Sequence, residues 1–199
     1  MIFQRSIKNK VTAIGVGLHS GEKVHIELKP AKEDSGIVFK RSDIKESLEI
    51  KVEPKAVKET RLSSTIGKGK YKISTVEHLM SALSALGIDN IIIEVGGSEI
   101  PIMDGSSISF IHLINSAVIF EQSKLKKFAV IKEVIKVEEE DKFAKFEPYN
   151  GFLVDFTIDF PHPAFKQEHS RVEIDFFKDS YVNQISRART FGFMQEVEY

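Results

Sequence analysis

A glutamate beside a histidine, three residues after a serine, is the pattern in this sequence most able to do chemistry: Ile73-Ser-Thr-Val-Glu-His-Leu-Met80. At about 100° per residue, Glu77 and His78 leave neighbouring sides of a helix's first turn, where a carboxylate can hold a water beside a metal bound by the imidazole. The same spacing is also a capping box, with Ser74 accepting from a backbone amide and Glu77 reaching back. Both readings stand on spacing alone. His78 lies off the apolar stripe of Val76, Leu79, Met80, Leu83 and Leu86, so it also reads as a solvated histidine, because one imidazole is far from a metal site.

The remaining candidates are weaker. His25 falls on the polar side of an alternating strand, His162 lies between Pro161 and Pro163, and His169 sits in a charged loop. Each reads as solvated. His112, among Phe110, Ile111, Leu113 and Ile114, reads either as a surface or as a satisfied core histidine. His19 belongs to Gly15-Val-Gly-Leu-His-Ser-Gly21, where glycines permit close backbone approach. Its spacing matches neither the phosphate loop nor the dinucleotide fingerprint, so a strand corner is expected. Asp104-Gly-Ser-Ser107 sets an acid and hydroxyls at a helix start, where Asp104 can cap, turn or act. Ser186-Arg-Ala-Arg-Thr-Phe-Gly-Phe193 mixes cations, a hydroxyl and aromatic rings, which suits strand alternation and also a site for an amphiphile.

These residues need elements to position them. Lys23-Val-His-Ile-Glu-Leu-Lys29 alternates with period two, as a half-buried strand does, and similar short strands are expected at 2–8, 11–17, 36–41 and 47–52. At Ser74 the period becomes helical, predicting a helix over 75–86 that ends at Gly87. A strand over 90–95, a Gly96-Gly97 turn and a helix over 108–119 follow. The polar, basic stretch Glu121-Gln-Ser-Lys-Leu-Lys-Lys127 reads as a linker. After it, strands are expected at 128–138, 142–147 and 152–160, then a helix over about 176–185. The fold class is therefore α+β, as two domains, 1–122 and 127–199, each an antiparallel sheet packed with helices. The closing Met194-Gln-Glu-Val-Glu-Tyr199 opens a helical pattern with no breaker, so the second domain is expected to be truncated.

Composition excludes several classes. The 199 residues carry a formal net charge of −1, which argues against the electrostatic attraction that nucleic acids exploit. The absence of cysteine removes disulfides, thiolate zinc sites and cysteine nucleophiles. With no signal-like apolar run at Met1 and no stretch of about 18 apolar residues, a soluble cytoplasmic protein with no transmembrane segment is expected.

Six segments, Thr12-Ala-Ile-Gly-Val-Gly-Leu-His-Ser-Gly21, Ile73-Ser-Thr-Val-Glu-His-Leu79, Gly87-Ile-Asp-Asn-Ile91, Glu99-Ile-Pro-Ile-Met-Asp-Gly-Ser106, Asp155-Phe-Thr-Ile-Asp-Phe160 and Gln184-Ile-Ser-Arg-Ala-Arg-Thr-Phe-Gly-Phe193, run through the chain in order. Together they resemble the zinc-dependent UDP-3-O-acyl-N-acetylglucosamine deacetylases of bacterial lipid A biosynthesis, in their N-terminal portion. The resemblance implies two domains of similar two-layer sandwich topology, hydrolysis of the N-acetyl amide of a UDP-linked acylated glucosamine, and Zn²⁺ as cofactor. It implies that Glu77 is the general base, His78 a zinc ligand and Thr190 an oxyanion donor. It also implies that Leu62, Lys142, Asp159, Phe160 and Phe191 contact substrate. The family's other zinc ligands, a histidine and an aspartate, and its histidine acid are expected beyond Tyr199, which leaves this chain alone expected to be inactive. The alternative is a non-catalytic nucleotide-sugar-binding or interaction module with the same fold.

Overall fold

The computed structural model describes residues 1–159 and 171–191, which fall into two units, Met1–Lys126 joined by the segment from Ile185, and Lys127–Gln184. Phe160, His162, His169 and the Met194–Tyr199 pattern lie outside the described residues.

The first unit is built on a five-stranded sheet of β2 (Val11–Val16), β3 (Lys23–Pro30), β8 (Ile91–Val95), β4 (Ile37–Arg41) and β5 (Glu49–Lys51), in that spatial order. Every pairing is antiparallel except β4 with β8. Alternation does what the sequence promised along β3, where Val24, Ile26 and Leu28 are buried and Lys23 and His25 are exposed. Opposite them, Ile26 pairs with Val95 and Leu28 with Ile93, so the apolar side chains of both strands share one face. That face buries together with Leu79, Ala82 and Leu83 of α1 (Glu77–Ala85) and Phe110, Ile111 and Ile114 of α2 (Ile108–Ser116), giving two layers around one core. The small β6 (Val57–Glu59) and β7 (Thr65–Ile66) pair before α1.

Helix α1 ends as its glycine predicts. Gly87 takes φ +66°, its N–H donates to Ser84 O at 3.0 Å, and Ile88 N–H donates to Leu83 O at 2.9 Å, the double bond of a Schellman motif. Its start differs from expectation. The helix begins at Glu77 with Val76 as N-cap and no side-chain cap, because Thr75 takes a left-handed φ of 57° and turns Ser74 out of capping position. Ser74 Oγ donates instead to Ser98 O at 3.2 Å.

The expected linker is a strand. Helix α2 stops at Ser116, Val118 takes φ +61°, and β9 (Ile119–Leu125) pairs antiparallel with β1 (Phe3–Ile7). Charge misled here: Glu121 and Lys124 face water while the backbone completes a ladder, and the Gln122 amide donates inward to Ala31 O.

The second unit contains β10 (Ile135–Glu139) paired with β11 (Lys142–Phe146), and β12 (Leu153–Thr157) paired with β13 (Arg171–Asp175). Residues 128–134, expected as strand, form none. The helix expected over 176–185 shrinks to one turn, α3 (Tyr181–Gln184), because Asp175 and Asp179 bind nearby backbone amides and fold 175–180 into turns. Among the described residues no helix is long and apolar enough to cross a membrane.

Candidate active site on the first helix

Glu77 and His78 open α1, both half-buried. The Glu77 carboxylate does not cap its own helix. Its Oε2 accepts from the backbone N–H of Ser64 at 2.9 Å, thirteen residues upstream. This bond fixes the carboxylate's direction and pins the loop that carries Leu62, whose backbone is left-handed (φ 61°) and whose side chain is 71% exposed. Glu77, His78 and the Leu62 loop are thereby brought together. Glu77 Oε1 carries no hydrogen bond among the described residues.

Thr190 is placed at the start of α2. Its N–H donates to Gly105 O at 2.9 Å, while Ser186 O accepts from Ile108 N–H at 2.9 Å and from Ser107 Oγ at 3.2 Å. The segment from Ile185 thus supplies an acceptor to the helix's first turn. Gly105 has φ +83°, and a Cβ there would lie 3.7 Å from Thr190 Cγ2. Thr190 and Phe191 are both exposed. Asp104 is committed to the same turn: it accepts from Ser106 N–H and from the hydroxyls of Ser106 and Ser109. Burial pushes its carboxyl up, yet these donors hold it below the ordinary carboxylate range.

Lys142 begins β11 and Asp159 follows β12, both exposed, on separate hairpins of the second unit. His19, His25 and His112 are exposed.

Glu99 went unread as a working residue. It is 2% exposed and accepts from His19 N–H (3.0 Å), Ser20 N–H (2.9 Å) and Thr75 Oγ1 (3.0 Å). Burial pushes its carboxyl up, and the donors of His19, Ser20 and Thr75 outweigh it and hold it below the usual range. The one signal in the sequence was a carboxylate directly before the apolar Ile100-Pro-Ile-Met103, with Gly17 supplying room far upstream.

Residues 4–199 match the LpxC family, UDP-3-O-acyl N-acetylglycosamine deacetylase. The chain belongs to this deacetylase family. It is 52% identical over 198 residues to the UDP-3-O-acyl-N-acetylglucosamine deacetylase of Thioalkalivibrio sulfidiphilus, covering 100% of this chain and 65% of that protein. It is 51% identical over 199 residues to the deacetylase of the same name from Xanthomonas oryzae pv. oryzae, covering 100% of this chain and 66% of the relative. The relative of that name from Chromobacterium violaceum is 48% identical over 200 residues, with 100% of this chain and 66% of the relative covered. The chain therefore spans just under two thirds of the length of these curated relatives.

Among the described residues no three His, Asp or Glu side chains cluster, and a catalytic zinc is normally held by about three protein ligands. His78 offers one imidazole.

Proposed function

We propose that this chain carries the first-helix part of the active site that hydrolyses the N-acetyl amide of UDP-3-O-acyl-N-acetylglucosamine, giving acetate and the free amine, the committed step of lipid A biosynthesis. The observation that carries the reading, beside family membership, is the Glu77 carboxylate, anchored through Oε2 to Ser64 N–H with Oε1 unbonded among the described residues. A general base must be fixed in direction and have a free oxygen, and this glutamate has both.

In that reaction a water oxygen bonds to the amide carbonyl carbon and one of its protons passes to Glu77 Oε1. The carbonyl oxygen becomes an oxyanion, to which the Thr190 hydroxyl donates. The C–N bond then breaks, the departing nitrogen takes the proton that Glu77 Oε1 accepted, and the new acetic acid loses its remaining proton to solvent to give acetate. Zn²⁺ belongs to the proposal with His78 as one ligand, but one imidazole alone does not make its site. Leu62 and Phe191 would lie along the acylated sugar, with Lys142 near the diphosphate and Asp159 and Phe160 on the uridine. A nucleotide-sugar substrate also fits a cytoplasmic protein.

The test is incubation of the longest polypeptide the gene encodes with the UDP-sugar, read by mass spectrometry. Equimolar acetate and free amine are expected. Tight binding with the acetamide intact would leave a nucleotide-sugar-binding module instead.

A further inference from the structure

We propose that Glu99 is a positioning residue for the Glu77–His78 pair, a buried carboxylate that ties the 17–20 loop to the left-handed Thr75 turn from which α1 starts. The proposal rests on the reading of Glu77 and His78 given above and adds the group that aims them.

Glu99 has no cation paired with it among the described residues, an arrangement tolerated only where donors replace the lost water. They come from two separate loops. Oε1 accepts from His19 N–H and from the Thr75 hydroxyl, and Oε2 accepts from Ser20 N–H. Both oxygens face donors, so a carboxylate is required: the NH₂ of a glutamine would point at one of them. The fit leaves no space, since a Cβ at Gly17 would stand 2.4 Å from Glu99 Oε2 and 2.2 Å from Ser20 Oγ.

Thr75 links Glu99 to the start of α1. A β-branched residue at φ 57° is strained and persists only where its surroundings hold it. Ser74 N–H donates to Ser98 O and Ile100 N–H donates to Ser74 O, so backbone bonds flank Glu99 from the 74 side, while its carboxylate holds the Thr75 hydroxyl. Two residues later comes Glu77. Relaxing Thr75 toward an ordinary φ would swing the first turn of α1 and draw the Glu77 carboxylate from Ser64 N–H. The left-handed Leu62 lies two residues before that amide, so the strained positions 62 and 75 meet through Glu77.

The test uses NMR of the isotope-labelled 199-residue chain. Thr75→Val keeps shape and branching but removes the donor, and Glu99→Gln misplaces one. Both are expected to shift the Ser64 amide and the His78 ring resonances and to accelerate Ser64 amide exchange by about fivefold, the factor for weakening one hydrogen bond. Remote core amides such as that of Ile93 should hold still. Thr75→Ser should restore the Ser64 signal. If Glu99→Gln does not fold, Thr75→Val carries the test alone. Unchanged Ser64 and His78 signals, with the His19 and Ser20 amides newly exposed, would overturn the proposal and leave Glu99 a loop anchor. Failure of the general-base reading shows elsewhere, as undiminished turnover of Glu77→Gln, and leaves these spectra as they are.

Discussion

Glu77→Gln separates what the glutamate does for the fold from what it does for the reaction. Its structural work is one bond, from Ser64 N–H to Oε2 at 2.9 Å. A glutamine carbonyl can accept the same bond, so the substitution exchanges a charge-assisted bond for a neutral one and costs about 1 kcal/mol. In a chain of this size that lowers Tm by roughly 2–4 °C. The chemical loss is much larger. A missing general base lowers turnover by about 10²- to 10⁴-fold, or roughly 3–5 kcal/mol of barrier. Glu77→Ala is the companion, because it leaves the Ser64 amide without its acceptor and adds about 1–3 kcal/mol of destabilisation. The assay pairs acetate release by the longest encoded polypeptide with thermal unfolding of both variants. Turnover of Glu77→Gln within about threefold of wild type would refute the general-base assignment.

Three further outcomes are expected. Leu83→Ala, at a fully buried position on α1, should cost about 2–5 kcal/mol in thermal or denaturant unfolding. A loss under about 1 kcal/mol would mean that the helix does not pack on the sheet as described. Gly17→Ala should destabilise by about 1–3 kcal/mol, because its Cβ meets Ser20 Oγ and Glu99 Oε2; a neutral result would show that this loop yields. The Glu99 carboxyl sits below its ordinary value of 4.5 in the folded protein, so below that pH the unfolded chain takes up its proton first. Its contribution is full above 4.5 and fades as pH falls through the folded value. The stability difference between wild type and Glu99→Gln should therefore shrink on acidification, and a gap independent of pH would contradict it.

Periodicity made much of the first unit legible. The alternation of β3 and the stripe of α1 are local patterns, and Gly87 announced its helix end because a left-handed residue there needs no compensating partner. Errors arose where a distant partner decided. Ser74 and Glu77 have capping-box spacing, but Thr75 breaks the helical path, and Ser98 and Ser64 take the two side chains instead. The run 121–127 looked like a linker by charge, yet strand edges also carry charge, and only β1 shows that the backbone is paired. Over 176–185 a helix was expected, and the carboxylates of Asp175 and Asp179 competed successfully for its amides. Glu99 was silent for the same reason. Its donors lie 80, 79 and 24 residues away, beyond any spacing rule.

Hydrolysis at the first turn of α1 requires the substrate's acetamide to sit there. A crystal structure of the longest encoded polypeptide with the UDP-sugar bound, made with Glu77→Gln to stop turnover, tests it directly. The amide carbonyl carbon should lie within one water of the residue 77 side chain, with hydrogen bonds of about 2.6–3.2 Å along that path, and close to His78 and Thr190. An acetamide held elsewhere, out of reach of residue 77 even through a water, would contradict it.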